Sequence, residues 1–138
     1  MSADALSLGL KLGAALERAG IPYALGGALA LGIHGLVRAT RDVDLNVFVP
    51  APSAREVLEV LHREGLSMDL SRALREADSE GLAVAWSGET RVDLFFPSID
   101  LSWEALRTRV KLAVSGTEAW FLSAELLACP WTSRRSSR

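Results

Sequence analysis

In the stretch Asp42-Val43-Asp44-Leu45-Asn46-Val47-Phe48-Val49, polar residues at 42, 44 and 46 alternate with apolar ones at 43, 45, 47 and 49. A period of two is the pattern of a β-strand with one buried face. Both carboxylates then leave the strand on the same side, their Cα atoms roughly 6–7 Å apart at about 3.3 Å rise per residue. Like charges at that spacing repel by about 2–3 kcal/mol at an effective dielectric near about 20, and packing alone gives no reason to hold them there. A divalent cation turns the repulsion into attraction. The pair therefore predicts a metal site that handles phosphates.

Upstream, Gly26-Gly27 separates a short strand, Tyr23-Ala24-Leu25, from a small-residue helix predicted over residues 28–37. Glycines at a strand-to-helix turn let the backbone approach a ligand closely, and the positive helix end favours phosphate. Downstream, Asp93 lies inside the apolar run Arg91-Val92-Asp93-Leu94-Phe95-Phe96, where an uncompensated charge is costly. If its strand neighbours the one carrying Asp42 and Asp44 and shows the same face, three carboxylates converge. Hard oxygen donors of that kind suit Mg²⁺ or Mn²⁺. An ion pair with Arg91 or another arginine would equally satisfy Asp93.

Around this centre the 138 residues suffice for one domain with a real core, and 49% hydrophobic with 23% charged residues describes a globular chain. A net charge of −2 gives no global attraction to nucleic acid. One cysteine, Cys129, excludes an internal disulfide framework and fits a reducing compartment, so a cytoplasmic location is expected. With only His34 and His62 beside it, a zinc cluster is not expected. Residues 21–37 run 17 positions without a formal charge, but they are too short for a membrane span and are broken by Pro22 and four glycines. No signal peptide is read at the N-terminus.

Leucines at 6, 8, 10, 12 and 16 predict a helix over residues 3–18, in which Gly9 and Gly13 make room for another element to pack closely. Ser53, with Glu56 three residues on, predicts a capping box opening a helix whose apolar stripe is Val57, Leu58, Val60 and Leu61 and which closes at Gly65. A short exposed helix is expected over 70–77. Residues 82–86 and 90–96 then form a hairpin through Ser87-Gly88-Glu89. Residues 103–109 are read as helical, and 110–115 with 119–122 as a last hairpin or a strand and its return. Trp86, Trp103 and Trp120 are assigned to packing, as are His34 and His62. The domain is placed at residues 1–128, followed by a disordered or truncated tail at 129–138.

Leu25-Gly26-Gly27, then a helix, then Asp42-Val43-Asp44 opening a strand, then Asp93 on a later strand together resemble the nucleotidyltransferase superfamily with the polymerase-β-like palm. The finer run Gly26-Gly27-Ala28-Leu29-Ala30, His34-Gly35, Arg38, Thr40 and Asp42-Val43-Asp44-Leu45 is similar to the bacterial branch that includes abortive-infection toxins of toxin–antitoxin systems. The resemblance covers residues 5–128. It implies an α/β (α+β) domain with a mixed, mostly antiparallel sheet flanked by helices. It also implies Mg²⁺-dependent transfer of a nucleoside monophosphate from an NTP such as ATP to a hydroxyl on RNA, protein or a small molecule. Asp42 and Asp44 would hold the metal bridging the triphosphate, and Asp93 a second metal beside the acceptor hydroxyl. Gly26 and Gly27 would cradle phosphates, Arg38 and Arg41 would neutralise the departing pyrophosphate, and Thr40 would bond a phosphate oxygen or serve the turn. An antitoxin or a second copy of the chain are the partners implied. Residues 125–131 carry no lysine where family members commonly have one in a helix, which leaves two other functions open. One is a catalytically degenerate domain that binds nucleotide or a partner. The other is a metal-dependent phosphohydrolase.

Overall fold

The computed structural model describes residues 2–26, 42–96, 100–114 and 116–123. Four α-helices and six strands alternate along these residues: α1 (Ser2–Arg18), β1 (Tyr23–Gly26), β2 (Val43–Val47), α2 (Ala54–Arg63), α3 (Leu70–Glu80), β3 (Leu82–Ser87), β4 (Thr90–Phe95), α4 (Asp100–Thr108), β5 (Val110–Val114) and β6 (Thr117–Phe121). The strands form one sheet in the order β3-β4-β2-β1-β6-β5. Antiparallel pairing joins β3 to β4, β2 to β1 and β6 to β5, while β4 runs parallel to β2 and β1 parallel to β6. The expected mixed, mostly antiparallel sheet flanked by helices is what the chain forms.

Strand parity sorts the sheet into two faces. Val43, Leu45 and Val47 of β2, Val92 and Leu94 of β4, Ala83 and Ala85 of β3 and Leu25 of β1 point to one side. They form the main core with Leu12 and Leu16 of α1, Val57, Leu58 and Leu61 of α2, and Ala73 and Ala77 of α3. The apolar stripe read for α2 is buried in full. Helix α4 covers part of the opposite face, where Ala105 packs with Ala24, Phe48 and Leu122 in a second, smaller cluster. Two apolar layers thus hold the sheet from both sides.

Several local expectations change. Ser53 makes no side-chain capping bond, because a 3₁₀ turn at Ala51–Ser53 feeds the chain into α2 with Ser53 at φ −93°, ψ 8°, away from the extended backbone that a capping hydroxyl needs. Helix α3 is longer than the exposed helix read over 70–77. Asp69 accepts from the Arg72 amide, Gly81 at φ 70° ends the helix, and Ala73 and Ala77 pack inward. Alanines at a four-residue spacing make too faint an apolar stripe to be noticed. The hairpin and the last strand pair form as expected, with Gly88 at φ 60° and Gly116 at φ 80° at their turns. The helix expected over 28–37 and the tail at 129–138 lie outside the described residues.

Gly13 explains one close approach. A Cβ there would meet the Tyr23 ring at 2.6 Å, and Tyr23 is itself buried with its hydroxyl accepting from the Trp120 amide at 3.2 Å. The ring has nowhere to go. Gly13→Ala is therefore expected to lower stability by about 1–3 kcal/mol despite its better helix propensity, read as a reduced urea midpoint. A neutral or stabilising result would show that α1 shifts freely over β1.

Candidate active site

The parallel pairing of β2 with β4 sets Asp44 directly opposite Asp93. On its other edge β2 pairs Asp44 with Gly26, and β4 pairs Asp93 with Val84. One row thus crosses four strands on the non-core face: Gly26, Asp44, Asp93, Val84. Asp42 stands two residues before Asp44 and Arg91 two before Asp93, so they share this face one step along the sheet. Neighbouring strands lie about 4.8 Å apart, which brings the Asp44 and Asp93 carboxyl groups within direct interaction range.

The electrostatics record that crowding. Asp44 has its pKa pushed from 3.8 up to about 6, first by burial, then by the negative charges of Asp93 and Asp42 and by its hydrogen bond with Asp93. Arg91 relieves part of this charge: its Nε donates to Asp93 Oδ1 at 2.7 Å. The bond to Asp93 holds the Arg91 guanidinium above its usual range, and Asp42 and Asp44 add to the effect. Asp93 thus stands opposite Asp44 and is ion-paired to Arg91, as the second sequence-based reading expects. Sequence alternation places Arg91 on the same face as Asp93, and that parity is the signal by which its part in the cluster is found.

Among the described residues, no three His, Cys, Asp or Glu side chains stand arranged to hold a metal ion. Asp93 is paired with Arg91, and Asp42 is solvent-exposed just before the strand. The donor chemistry nevertheless fits a hard dication. Two carboxylates meet rung to rung, a third lies within Coulombic reach, and the half-buried Asp44 lacks enough positive charge to stay ionised at its ordinary pKa.

Gly26 closes the row at a tight spot. A Cβ there would come within 2.8 Å of Asn46 Nδ2 and 2.9 Å of Leu122 Cδ1. Asn46 is almost wholly buried and donates through Nδ2 to the Ala24 carbonyl at 3.4 Å, tying β2 to β1 beside the glycine. Gly27, Arg38, Thr40 and Arg41 lie outside the described residues, as does His34. Sequence reasoning misjudged Trp86 and Trp103, which are 44% and 41% exposed rather than packed. Trp120 does pack, with the Arg109 guanidinium 3.8 Å above its ring.

No family model matches the chain, and no curated protein does. Solved structures do, and they show that the chain has the nucleotidyltransferase fold. The antibiotic-resistance factor ANT(2'')-Ia in solution superposes with a TM-score of 0.67 at 17% identity, over 99% of this chain and 75% of its own. The same factor crystallised with adenylyl-2''-tobramycin gives 0.63 at 15% identity, over 100% and 79%. A provisionally assigned nucleotidyltransferase from Thermotoga maritima gives 0.65 at 11% identity, over 92% and 82%. Among the described residues no helix is long and apolar enough to cross a membrane.

Proposed function

We propose that this chain is a cytoplasmic enzyme that transfers a nucleoside monophosphate from an NTP to a hydroxyl, with Mg²⁺ or Mn²⁺ held by Asp42, Asp44 and Asp93. The observation that carries this is the placement of Asp44 opposite Asp93 on adjacent parallel strands, with Gly26 completing the row. A bound dication would neutralise the triphosphate and the carboxylate cluster, the usual contribution of metals to phosphoryl chemistry. Asp44 and Asp42 hold the phosphate side of the site. Gly26 packs directly against Asn46 and Leu122, so the close approach of phosphates to the backbone falls to Gly27, and Arg38, Arg41 and Thr40 bind the leaving group. Asp93 orients the acceptor and takes its proton. The hydroxyl oxygen bonds to the α-phosphorus, the bond from that phosphorus to the bridging oxygen breaks, and pyrophosphate departs with the electron pair.

The neighbour crystallised with adenylyl-2''-tobramycin supports a hydroxyl acceptor for this fold. The run from Gly26 to Leu45 supports a toxin role, with an antitoxin as partner. The Arg91–Asp93 ion pair favours one rival, a degenerate domain that binds without turnover, because it engages an oxygen that a metal would need.

Incubation with each NTP labelled at the α-phosphate, Mg²⁺ or Mn²⁺, and RNA, protein or aminoglycoside acceptors decides between them. Pyrophosphate release with label bound covalently to one acceptor class is the expected result. Release of inorganic phosphate without a labelled product would mean a phosphohydrolase, and NTP binding without turnover the degenerate domain.

A further inference from the structure

Among the described residues, the cation set into the carboxylate cluster is Arg91. The sheet fixes its neighbours. Continuing the β2–β4 register one residue back from the pair Val43 and Val92 puts Asp42 beside Arg91, and Asp93 follows two residues on along the same face. On the β3 side Arg91 faces Trp86, which carries no charge. The guanidinium thus has carboxylates on one side and an uncharged strand on the other. It directs Nε at Asp93 Oδ1, at 2.7 Å, the length of a strong charge-assisted bond. The two partners are unequally held, the Arg91 side chain being 45% exposed and that of Asp93 17%. Asp93 is built into the sheet surface, whereas Arg91 can swing off it without disturbing the core.

We infer that Arg91 is a displaceable occupant of the carboxylate cluster: its guanidinium and a dication compete for Asp93, and the centre loads metal only as Arg91 is unseated. The inference rests on the metal centre proposed above and adds how that centre fills. Charge favours the exchange. Three carboxylates around one guanidinium leave the cluster net negative, and Asp44 registers the remainder. Its pKa is pushed up to about 6, by burial first and then by the charges of Asp93 and Asp42, although Arg91 opposes them. A dication carries twice the charge of a guanidinium, concentrated on one atom, and hard carboxylate oxygens suit it well. Both cannot stay on Asp93, because a guanidinium held there would face two further positive charges in a half-buried place where water screens them poorly. Arg91 therefore keeps the third carboxylate compensated while no metal is bound, and it sets the metal concentration at which the centre fills.

Mn²⁺ titration followed by electron paramagnetic resonance, with no nucleotide present, tests this without requiring turnover. Arg91→Gln is expected to tighten Mn²⁺ binding about tenfold or more, since it removes both a competitor and a like charge. In the wild-type chain, the nitrogen NMR signal of the Arg91 Nε–H, assigned by its absence in Arg91→Lys, is expected to move to the position of a solvent-exposed guanidinium as Mg²⁺ saturates the site. This second titration is made on the wild-type chain and stands whether or not Arg91→Gln folds. Equal or weaker Mn²⁺ binding in Arg91→Gln overturns the inference, because Arg91 would then be orienting Asp93 for the metal. A signal still at its metal-free position at Mg²⁺ saturation overturns it as well, because Asp93 would be keeping its ion pair while metal binds. Absence of Mn²⁺ binding in both proteins rejects the metal centre and the inference together. A failed labelled-NTP assay beside Arg91-dependent Mn²⁺ binding rejects the transferase alone and keeps the exchange.

Discussion

Asp93→Asn is expected to reduce nucleotidyl transfer by roughly 10²–10³-fold or more under single-turnover conditions with saturating NTP and Mg²⁺, while the protein stays folded by circular dichroism. The amide keeps the shape of the side chain and removes the negative charge that, in the proposed mechanism, holds metal and accepts the proton. Asp44→Asn should match it, since the two carboxylates face each other across adjacent strands and serve one cluster. Combining them should cost little more than either alone, because residues that act as a unit are strongly non-additive. Full activity in Asp93→Asn would remove the row from the chemistry. Arg91 sharpens the experiment: if its ion pair blocks the site, activity should rise in Arg91→Gln, whereas a residue that orients Asp93 should lose activity on the same change.

The second large effect concerns stability and runs in the opposite direction. Asp44 has its folded-state pKa raised from 3.8 to about 6, so the folded chain binds more protons than the unfolded one between those values. Stability from this group is therefore fully present below about pH 4 and is lost as pH rises through about 6. The groups responsible are Asp93 and Asp42, opposed by Arg91, with burial the largest cause. Asp44→Asn removes the penalty. In metal-free buffer at about pH 8 the variant should be more stable than wild type by about 1–3 kcal/mol, the gap closing near about pH 4. Chemical denaturation across pH measures this. Added Mg²⁺ should stabilise the wild-type chain and leave the variant almost unaffected, as expected for a ligand that binds only the folded, charged site. A variant no more stable than wild type at about pH 8 would mean that Asp44 carries its charge without strain. Lost activity with gained stability is the signature of a site kept at the expense of the fold.

Much of this arrangement was legible in the residues because strand parity carries it. The alternation from Asp42 to Val49 gave the strand, its buried face and the common direction of two carboxylates, and the run from Arg91 to Phe96 did the same for Asp93. The order of strands was not legible, since nothing local says that β4 rather than β3 lies against β2. The fold was supplied there by resemblance. Parity also fails to tell which face is covered, which is why Trp86 was assigned to packing although its alternation with Ala85 was plain. Ser53 shows a different limit: the cap signature was present, but a preceding turn set by Pro50 and Pro52 placed the backbone outside its range.

Asp44 and Asp93 meet only through a parallel contact that spans α2, α3 and β3. Such pairing is non-local, and its loop-closure entropy must be overcome before it contributes anything. Amide exchange should accordingly be slowest in β2 and β4, and a nascent chain released before Phe95 emerges has no half-built version of the centre to misuse substrate. Assembly of the carboxylate row is thereby tied to the completion of β4.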